Sequence, residues 1–407
     1  MNLAISDRLK PMLAQIAEFV TNELIPLEPQ FFSKPFEELV PLLNEKRNQV
    51  KSLGLWGPQI PTELGGVGLT LVEHGYVSEA LGRSPLGHYV FGCQAPDAGN
   101  IEILHMFGTK EQQEEWLEPL AQGKIRSCFA MTEVDTAGSN PTLLEARAVK
   151  DGDHYVLNGR KWYTTAAEGS AFAIAMMVTN PDVNPAMRAS MFIVPTNTPG
   201  FRILRNIPIM GEAGSDYASH AEVMFENCRI PKDNLLGREG QGFKLAQERL
   251  GPGRIHHCMR WLGISARAFE MLCRRANQRK IHNDPSTGSG RVAGVYLADS
   301  EITQLYVAEL AAELHGARLM TLSAAWAIEH LGMSKARDEV AMIKFVVANV
   351  MNKILDRSLQ IHGGLGMSDD TILAYWFRHE RAARIYDGAD EVHKASLGKR
   401  ILRDYRR

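Results

Sequence analysis

The hydrophobic period changes twice along the chain, and those two changes limit the fold more tightly than any composition does. Up to about residue 125 apolar residues recur every three or four positions, the spacing of helices with one buried face. Leu13, Ile16, Phe19 and Val20 make one such face, ended near Pro26; Leu39, Leu42, Leu43, Val50 and Leu53 make another. Further helices are expected around 72–81 and 101–107. At Ser127 the pattern becomes short strands with frequent turn signals, and it stays so until about Ile230. Strands are expected at 129–132, at 146–150 and 154–157 as a hairpin about Asp151-Gly152, and at 161–165 after a second turn at Asn158-Gly159. Others follow at 172–178, 190–194, 201–205 and 221–225. From Gly242 the helical period returns in three long stripes. They run through Ile255, Met259, Leu262, Ala266, Phe269 and Ala276, then Leu310, Leu314, Ala317, Ala324, Ile328 and Leu331, then Val340, Ile343, Val347, Val350 and Ile354. A terminal helix is expected over 392–403. The fold class is therefore α+β multidomain and mostly α. It reads as a helical domain over 1–126, a β-barrel (or sandwich) over 127–235 and a four-helix bundle over 236–407.

A chain of 407 residues is too long for one simple core. Its net charge of −2 gives no broad drive toward nucleic acid or an anionic membrane. Five cysteines, an odd number with no Cys-x-x-Cys pair, argue for a reducing compartment. The first twenty residues carry Asp7 and Glu18 without a long apolar run, so no secretory signal is expected there, and no membrane span elsewhere. A cytoplasmic protein is expected, with the mitochondrial matrix or peroxisome open for a eukaryotic source. No metal is expected: His256 and His257 are adjacent, about a hundred degrees apart on a helix, and no His-Glu-x-x-His occurs. Neither a Gly-x-Ser-x-Gly elbow nor a dinucleotide fingerprint between strand and helix is present.

Several stretches could carry chemistry. Gly65-Gly66-x-Gly68 follows no strand and precedes no Lys-Ser/Thr, so it reads as a loop between helices. The segment Met131 to Asn140 leaves a strand into a loop of hydroxyls and small residues. It can offer donors to a phosphate or a heterocycle edge, or be a polar strand end and no more. Trp162-Tyr163-Thr164-Thr165 ends a nearby strand, where a tryptophan is either core or cofactor wall. Gln360-Ile-His-Gly-Gly-Leu-Gly366 breaks a helical register with three glycines, more than a helix cap explains, and permits close approach to a pyrophosphate. Arg254 and Arg279 are expected on one helix, about seven turns apart. The polar segment from His282 to Arg291 reads as a mobile loop. Last comes Arg384-Ile-Tyr-Asp-Gly-Ala-Asp-Glu-Val-His393, where Asp387 and Gly388 sit between two helices: an ordinary turn, or a carboxylate placed as a general base.

Together these motifs resemble the acyl-CoA dehydrogenase family over nearly the whole chain. Met131-Thr132-Glu133 with Ala137-Gly138-Ser139 is similar to the family's Thr-Glu and Ala-Gly-Ser, and Trp162-Tyr163-Thr164 to its Trp-x-Thr. Gln360 to Gly366 matches Gln-Ile-x-Gly-Gly-x-Gly, and Tyr386-Asp387-Gly388 stands where the family has Tyr-Glu-Gly. The resemblance implies FAD, with the isoalloxazine at Met131, Thr132, Trp162 and Thr164, and the adenine and pyrophosphate at Arg279, Gln360, Gly363 and Gly364, typically across a subunit interface. Glu391 goes with the cofactor set. Ser139 lies near the pyrophosphate or CoA, Arg254 orients the Asp387 loop or the CoA chain, and Gly388 lines the substrate.

The implied reaction is α,β-dehydrogenation of an acyl-CoA to a trans-2-enoyl-CoA, Asp387 taking the α-proton and flavin the hydride. It implies a dimer or tetramer and an electron-transferring flavoprotein as acceptor. Aspartate in place of glutamate resembles the subgroup of human members 10 and 11, which share Asp-Gly-x-Asp-Glu-Val-His and Gly-Pro-Gly-Arg-Ile-His-His, here Asp387 to His393 and Gly251 to His257. That subgroup includes proteins handling long-chain and 4-hydroxy acyl-CoAs. A flavin oxidase of the same fold, acyl-CoA oxidase or nitroalkane oxidase-like, is the alternative; a non-catalytic CoA- or flavin-binding scaffold is another. The family's Arg-x-x-Phe-Gly is reduced here to Arg279-Lys280-Ile281-His282, and one extra residue separates Glu133 from Ser139.

Overall fold

The computed structural model describes residues 3–283 and 294–406. The principal helices before the sheet are α1 (Leu9–Phe19), α2 (Phe36–Ser52), α3 (Leu71–Leu81) and α4 (Asp97–Phe107). The strands are β1 (Ser127–Ala130), β2 (Arg147–Asp151), β3 (His154–Thr165), β4 (Phe172–Val178), β5 (Ala189–Pro195), β6 (Phe201–Asn206), β7 (His220–Pro231) and β8 (Leu235–Leu236). Then come α5 (Gly242–Gln278), α6 (Glu301–Leu331), α7 (Arg337–His362), α8 (Ile372–Glu380) and α9 (Asp390–Asp404). Helical N- and C-terminal parts thus flank a central sheet. By contacts the chain forms two compact units, one of Ser33–Leu69 and His88–Gly253, the other of Met1–Phe32, Thr70–Gly87 and Arg254–Arg407.

In the unit holding the sheet, the strand order is β6-β7-β3-β2-β4-β5-β8, with β1 parallel to β4. β4 is buried along its whole length. On one face Phe172, Ile174, Met176 and Val178 pack with Ile101, Leu104, Leu117 and Leu120. On the other, Ala173, Ala175 and Met177 share a core with Leu157 of β3, Phe192 of β5, Phe201 of β6 and Phe225 of β7. Strands far apart in the order meet in one interior, so the sheet curls as a barrel does, with small alanines on its tight inner face. The expected turn at Asn158-Gly159 is absent. β3 runs straight through it, and its ladder with β7 shifts register between Leu157 and Gly159. Gly159 has φ +150°, and a Cβ there would lie 2.3 Å from the Cβ of Ala146. Pairing with β7 on both sides outweighs the local turn preference, and the glycine makes a bulge instead. β7 outruns the expected 221–225 because it is paired with both β3 and β6.

In the same unit, Leu39, Leu43 and Val50 of α2 are buried, but Leu53 is 43% exposed because the helix has already ended at Ser52. The glycine loop over 59–68 is closed on itself. The amides of Gly65, Gly66 and Gly68 donate to the carbonyls of Thr62, Pro61 and Ile60, so those three donors are engaged within the loop rather than offered to a phosphate.

The other unit is built on α5, α6, α7 and α8, whose core gathers Trp261, Leu272, Leu310, Ala324, Val347, Ile354, Leu373 and Trp376. α9 follows, with Leu397 buried. Leu331, at the end of the α6 stripe, is exposed. Residues Lys280–Asn283 pair antiparallel with Gly294–Tyr296, and the loop expected over 282–291 lies, from 284 on, outside the described residues. Among the described residues no helix is long and apolar enough to cross a membrane, and no group of three His, Cys, Asp or Glu could hold a metal.

Candidate functional site

In the helical unit, a 3-10 turn (Arg381–Arg384) extends α8 and hands the chain to Asp387, just before α9. Asp387 has φ +53° and Gly388 φ +95°. Two consecutive left-handed residues reverse the chain sharply, and aspartate is among the few side chains that tolerate such a position. At 388 only glycine fits, since a Cβ would lie 2.7 Å from His393 Nε2. Basic side chains then pin the turn by its carbonyls. Asp387 O accepts from Arg254 Nε at 3.1 Å and from His393 Nε2 at 3.2 Å. The fully buried Lys344 donates to Ala383 O at 2.7 Å and, at 3.4 Å, to Gly388 O. On the carboxylate itself, Oδ2 stands 3.2 Å from His257 Nε2.

Burial sets the charge states around this turn. It holds His257 below the ordinary histidine range, against the opposing effect of its hydrogen bond to Asp387. It also draws Lys344 and Arg254 down, with the Asp387 charge opposing in each case, and pushes the Tyr386 phenol up. Burial, aided by the Arg254 charge, brings His393 from 6.5 to about 4. Between those values the unfolded chain protonates His393 while the folded one does not, so stability falls as pH drops through that window and levels off below it. A His393→Phe variant is expected to flatten this acid decline, by a few degrees in thermal midpoint between pH 6.5 and 4; an unchanged slope would refute it.

In the sheet unit, Met131 and Thr132 follow β1 and lie against β3. Thr132 O accepts from Trp162 N at 3.0 Å, and Met131 O from Lys161 Nζ at 2.9 Å. Lys161 Nζ also meets Glu133 Oε1 at 2.8 Å, with both side chains buried. The Glu133 carboxylate further accepts the N–H groups of Glu145 at 2.7 Å and Ala146 at 2.9 Å. Burial draws Lys161 down to about 8, while Glu133 opposes the shift. Register slips again between Lys161 and Thr164, and Tyr163 takes φ +49° at that irregularity. Trp162 Nε1 and Thr164 Oγ1 are left buried with no hydrogen-bond partner. An indole N–H and a hydroxyl orphaned two residues apart are what the polar edge of a bound heterocycle would satisfy. Ser139 is exposed in the following loop, whose Gly138 comes within 3.0 Å of Thr132 when given a Cβ.

The expected site residues therefore gather in separate groups. Arg254, Asp387 and Gly388 meet in one; Met131, Thr132, Trp162 and Thr164 meet in another. Gln360, Gly363 and Gly364 sit exposed at the C-terminal end of α7, where Gly363 takes φ +62° and neither glycine has a neighbour within 4 Å of an added Cβ. Glu391 is exposed in the first turn of α9. Arg279 does not share a helix with Arg254. α5 ends at Gln278, and Arg279, exposed, closes the end through its N–H to Arg275 O at 2.9 Å while its carbonyl accepts from Leu297 N. Sequence reasoning missed His257, Lys344, His393 and Lys161. For His257 a signal existed, because Arg254, His257 and Trp261 are spaced by three and four on one helix face. Nothing in the spacing ties Lys344 to Asp387.

Models of the acyl-CoA dehydrogenase N-terminal, middle and C-terminal domains match residues 6–124, 128–228 and 240–402. A Mycobacterium tuberculosis protein named as an acyl-CoA dehydrogenase, FadE2, is 39% identical over 99% of this chain and 97% of its own length. Human acyl-CoA dehydrogenase family member 11 is 37% identical over 97% of this chain, which spans only 50% of that protein. A solved Mycobacterium abscessus structure, described as an acyl-CoA dehydrogenase, superposes with a TM-score of 0.90 at 36% identity over 99% of this chain and 100% of the other.

Proposed function

The chain belongs to the acyl-CoA dehydrogenase family, and from that premise we propose that it oxidises an acyl-CoA thioester to a trans-2-enoyl-CoA with FAD bound. The observation that carries this reading is the Asp387 carboxylate, held by His257 in a left-handed turn that is itself pinned through its carbonyls by Arg254, His393 and Lys344. The sheet unit supports FAD as the cofactor, because Trp162 Nε1 and Thr164 Oγ1 are buried donors awaiting an acceptor. Met131 and Thr132 complete the set that would face the isoalloxazine. Arg279, Gln360, Gly363, Gly364 and Glu391 are the residues assigned to the remainder of the cofactor, and Ser139 to its pyrophosphate or to CoA. When bound, FAD supplies an oxidised ring able to accept hydride from the β-carbon of the acyl group.

Asp387 does the proton chemistry. A thioester α-proton is too weakly acidic for a free carboxylate at neutral pH, so the developing enolate needs a donor at its carbonyl oxygen. The main-chain N–H of Asp387 is assigned that role. Arg254 keeps the turn in place from α5, and Gly388, whose missing side chain makes room for His393, is assigned to line the substrate. An electron-transferring flavoprotein is the proposed acceptor, and a dimer or tetramer the proposed assembly.

Anaerobic titration with a panel of acyl-CoAs, followed by flavin absorbance, tests the reading. Bleaching with slow reoxidation in air is expected; rapid peroxide formation would instead select an oxidase. The orphaned hydroxyl gives a sharper check. Thr164→Val removes a buried unsatisfied group, so FAD-free protein is expected to keep or slightly gain stability while FAD affinity falls about tenfold. Equal affinity in the two proteins would remove Thr164 from the cofactor set.

A further inference from the structure

The glycine-rich loop over 59–68 keeps three of its amides for itself, yet it forms one wall of a cavity in the sheet unit. The cavity holds about 400 Å³. Leu64, Gly65 and Gly66 of the loop line it, together with Lys51, Trp56 and Lys124. None of the residues assigned to FAD or to the acyl-CoA is among its lining.

Positive charge gathers at this cavity. Lys51 lies about one turn beyond Arg47 on α2, and both reach the same indole. Lys51 Nζ stands 4.4 Å and Arg47 Cζ 4.9 Å from the centre of the Trp56 ring. The ring is itself fixed, since Trp56 Nε1 donates to Ala121 O at 2.9 Å. Lys51 also donates to Gln122 O at 2.8 Å. Arg47 is only 5% exposed, and its Nε has no hydrogen-bond partner. Its Nη2 ends against Gly123, where an added Cβ would lie 2.6 Å away. Gly123 stands between Gln122 and Lys124, so three cations close on one short stretch of chain.

Those charges are poorly answered. Like charges four residues apart on a helix repel, and here a third joins them. Burial draws Lys51 below the ordinary lysine range, and the Arg47 and Lys124 charges add to the effect. Asp97, the carboxylate whose charge favours Arg47, is already bonded to Ser127 and Gln94. Lys124 makes no ion pair or side-chain hydrogen bond among the described residues.

We propose that this cavity is a second ligand site, taking a small organic phosphate whose anionic end lies between Lys51 and Lys124. An anion there turns the mutual repulsion of the cations into attraction. Ammonium groups act as compact point charges with several donors, which suits a tetrahedral oxyanion. A planar carboxylate is matched better by the fork of an arginine, and Arg47 is not part of the lining. It contributes a fixed charge from behind. The volume lies in the range of small-molecule sites and is more than a bare ion needs. Leu64 and Trp56 give the organic part an apolar wall.

Calorimetric titration of the FAD-bound protein at low ionic strength tests the site, with inorganic phosphate and adenosine 5′-monophosphate as the probes. The nucleotide is expected to bind about tenfold tighter than phosphate, through the apolar area it covers. Lys51→Gln and Lys124→Gln are each expected to weaken it by about tenfold. The double variant is expected to lose about a hundredfold. Both lysines are exposed, so thermal midpoint and flavin content are expected to hold. Lys150→Gln, at an exposed lysine on β2, removes the same charge elsewhere in the unit and is expected to change nothing. Failure of the parent to bind the nucleotide would overturn the proposal. So would binding that survives in the double variant, or that falls equally in Lys150→Gln. Phosphate binding as tightly as the nucleotide would reduce the site to an adventitious ion only, which also overturns it. A parent that no acyl-CoA bleaches would defeat the dehydrogenase reading and leave this site untouched.

Discussion

Replacing Asp387 with asparagine is expected to lower turnover by about 10³- to 10⁴-fold while leaving flavin content and thermal midpoint close to those of the parent. The choice of asparagine matters. With φ at +53°, most side chains would strain the turn, but asparagine accepts the left-handed region nearly as well as aspartate. It can still accept from His257, so the loop keeps its shape and only the proton acceptor is lost. Stopped-flow bleaching by an acyl-CoA isolates the chemical step. Asp387→Glu is expected to keep part of the activity, since the longer carboxylate overshoots the position held by a donor suited to aspartate. A full rate of bleaching in the asparagine variant would show that another group takes the α-proton.

The second large effect is expected in the sheet unit. Lys161→Met leaves the Glu133 carboxylate buried without its cation, and breaking such a pair from one side costs about 3–5 kcal/mol. It also releases Met131 O, which Lys161 holds, at the place where β1 gives way to the polar loop. Denaturant unfolding is expected to show the loss, and FAD affinity to fall with it. The pH dependence adds a signature. Lys161 sits at about 8 folded against an ordinary 10.5, so between those values the unfolded chain binds the extra proton and stability gains as pH rises. That contribution is expected to vanish in Lys161→Met. A variant as stable as the parent, with the same alkaline slope, would mean that the pair contributes nothing net.

Much of this was legible because local pattern and tertiary burial agree. β1 begins at Ser127 and α5 at Gly242, where the hydrophobic period changes. The unbroken apolar run of β4 reads as a strand covered on both faces, and it is one. Legibility ended where distant chain decided the outcome. Asn158-Gly159 carries every local mark of a turn, yet β7, some seventy residues on, pairs across it. Likewise Arg279 continues an apparent helix on paper, but the chain leaves α5 one residue earlier and pairs Lys280–Asn283 with Gly294–Tyr296. Within the candidate site, Asp387 could be picked out by its interval from the glycines at 363–366. The residues that hold it could not, because Lys344 and His257 reach it from separate helices and no periodicity encodes which helix faces meet.

The division of the chain into units has a consequence in time. The sheet unit draws only on residues 33–253, so all its partners exist once residue 253 has been made. The helical unit needs Arg254–Arg407 to join Met1–Phe32 and Thr70–Gly87. At about 5–20 residues per second those last residues take roughly ten to thirty seconds to appear. Throughout that interval Phe32, Leu71 and Val72 wait without the core they pack against. During synthesis, then, Phe32, Leu71 and Val72 are made before the strands of the sheet unit yet covered after them, and the nascent chain is a natural client for chaperones that bind exposed apolar helix faces.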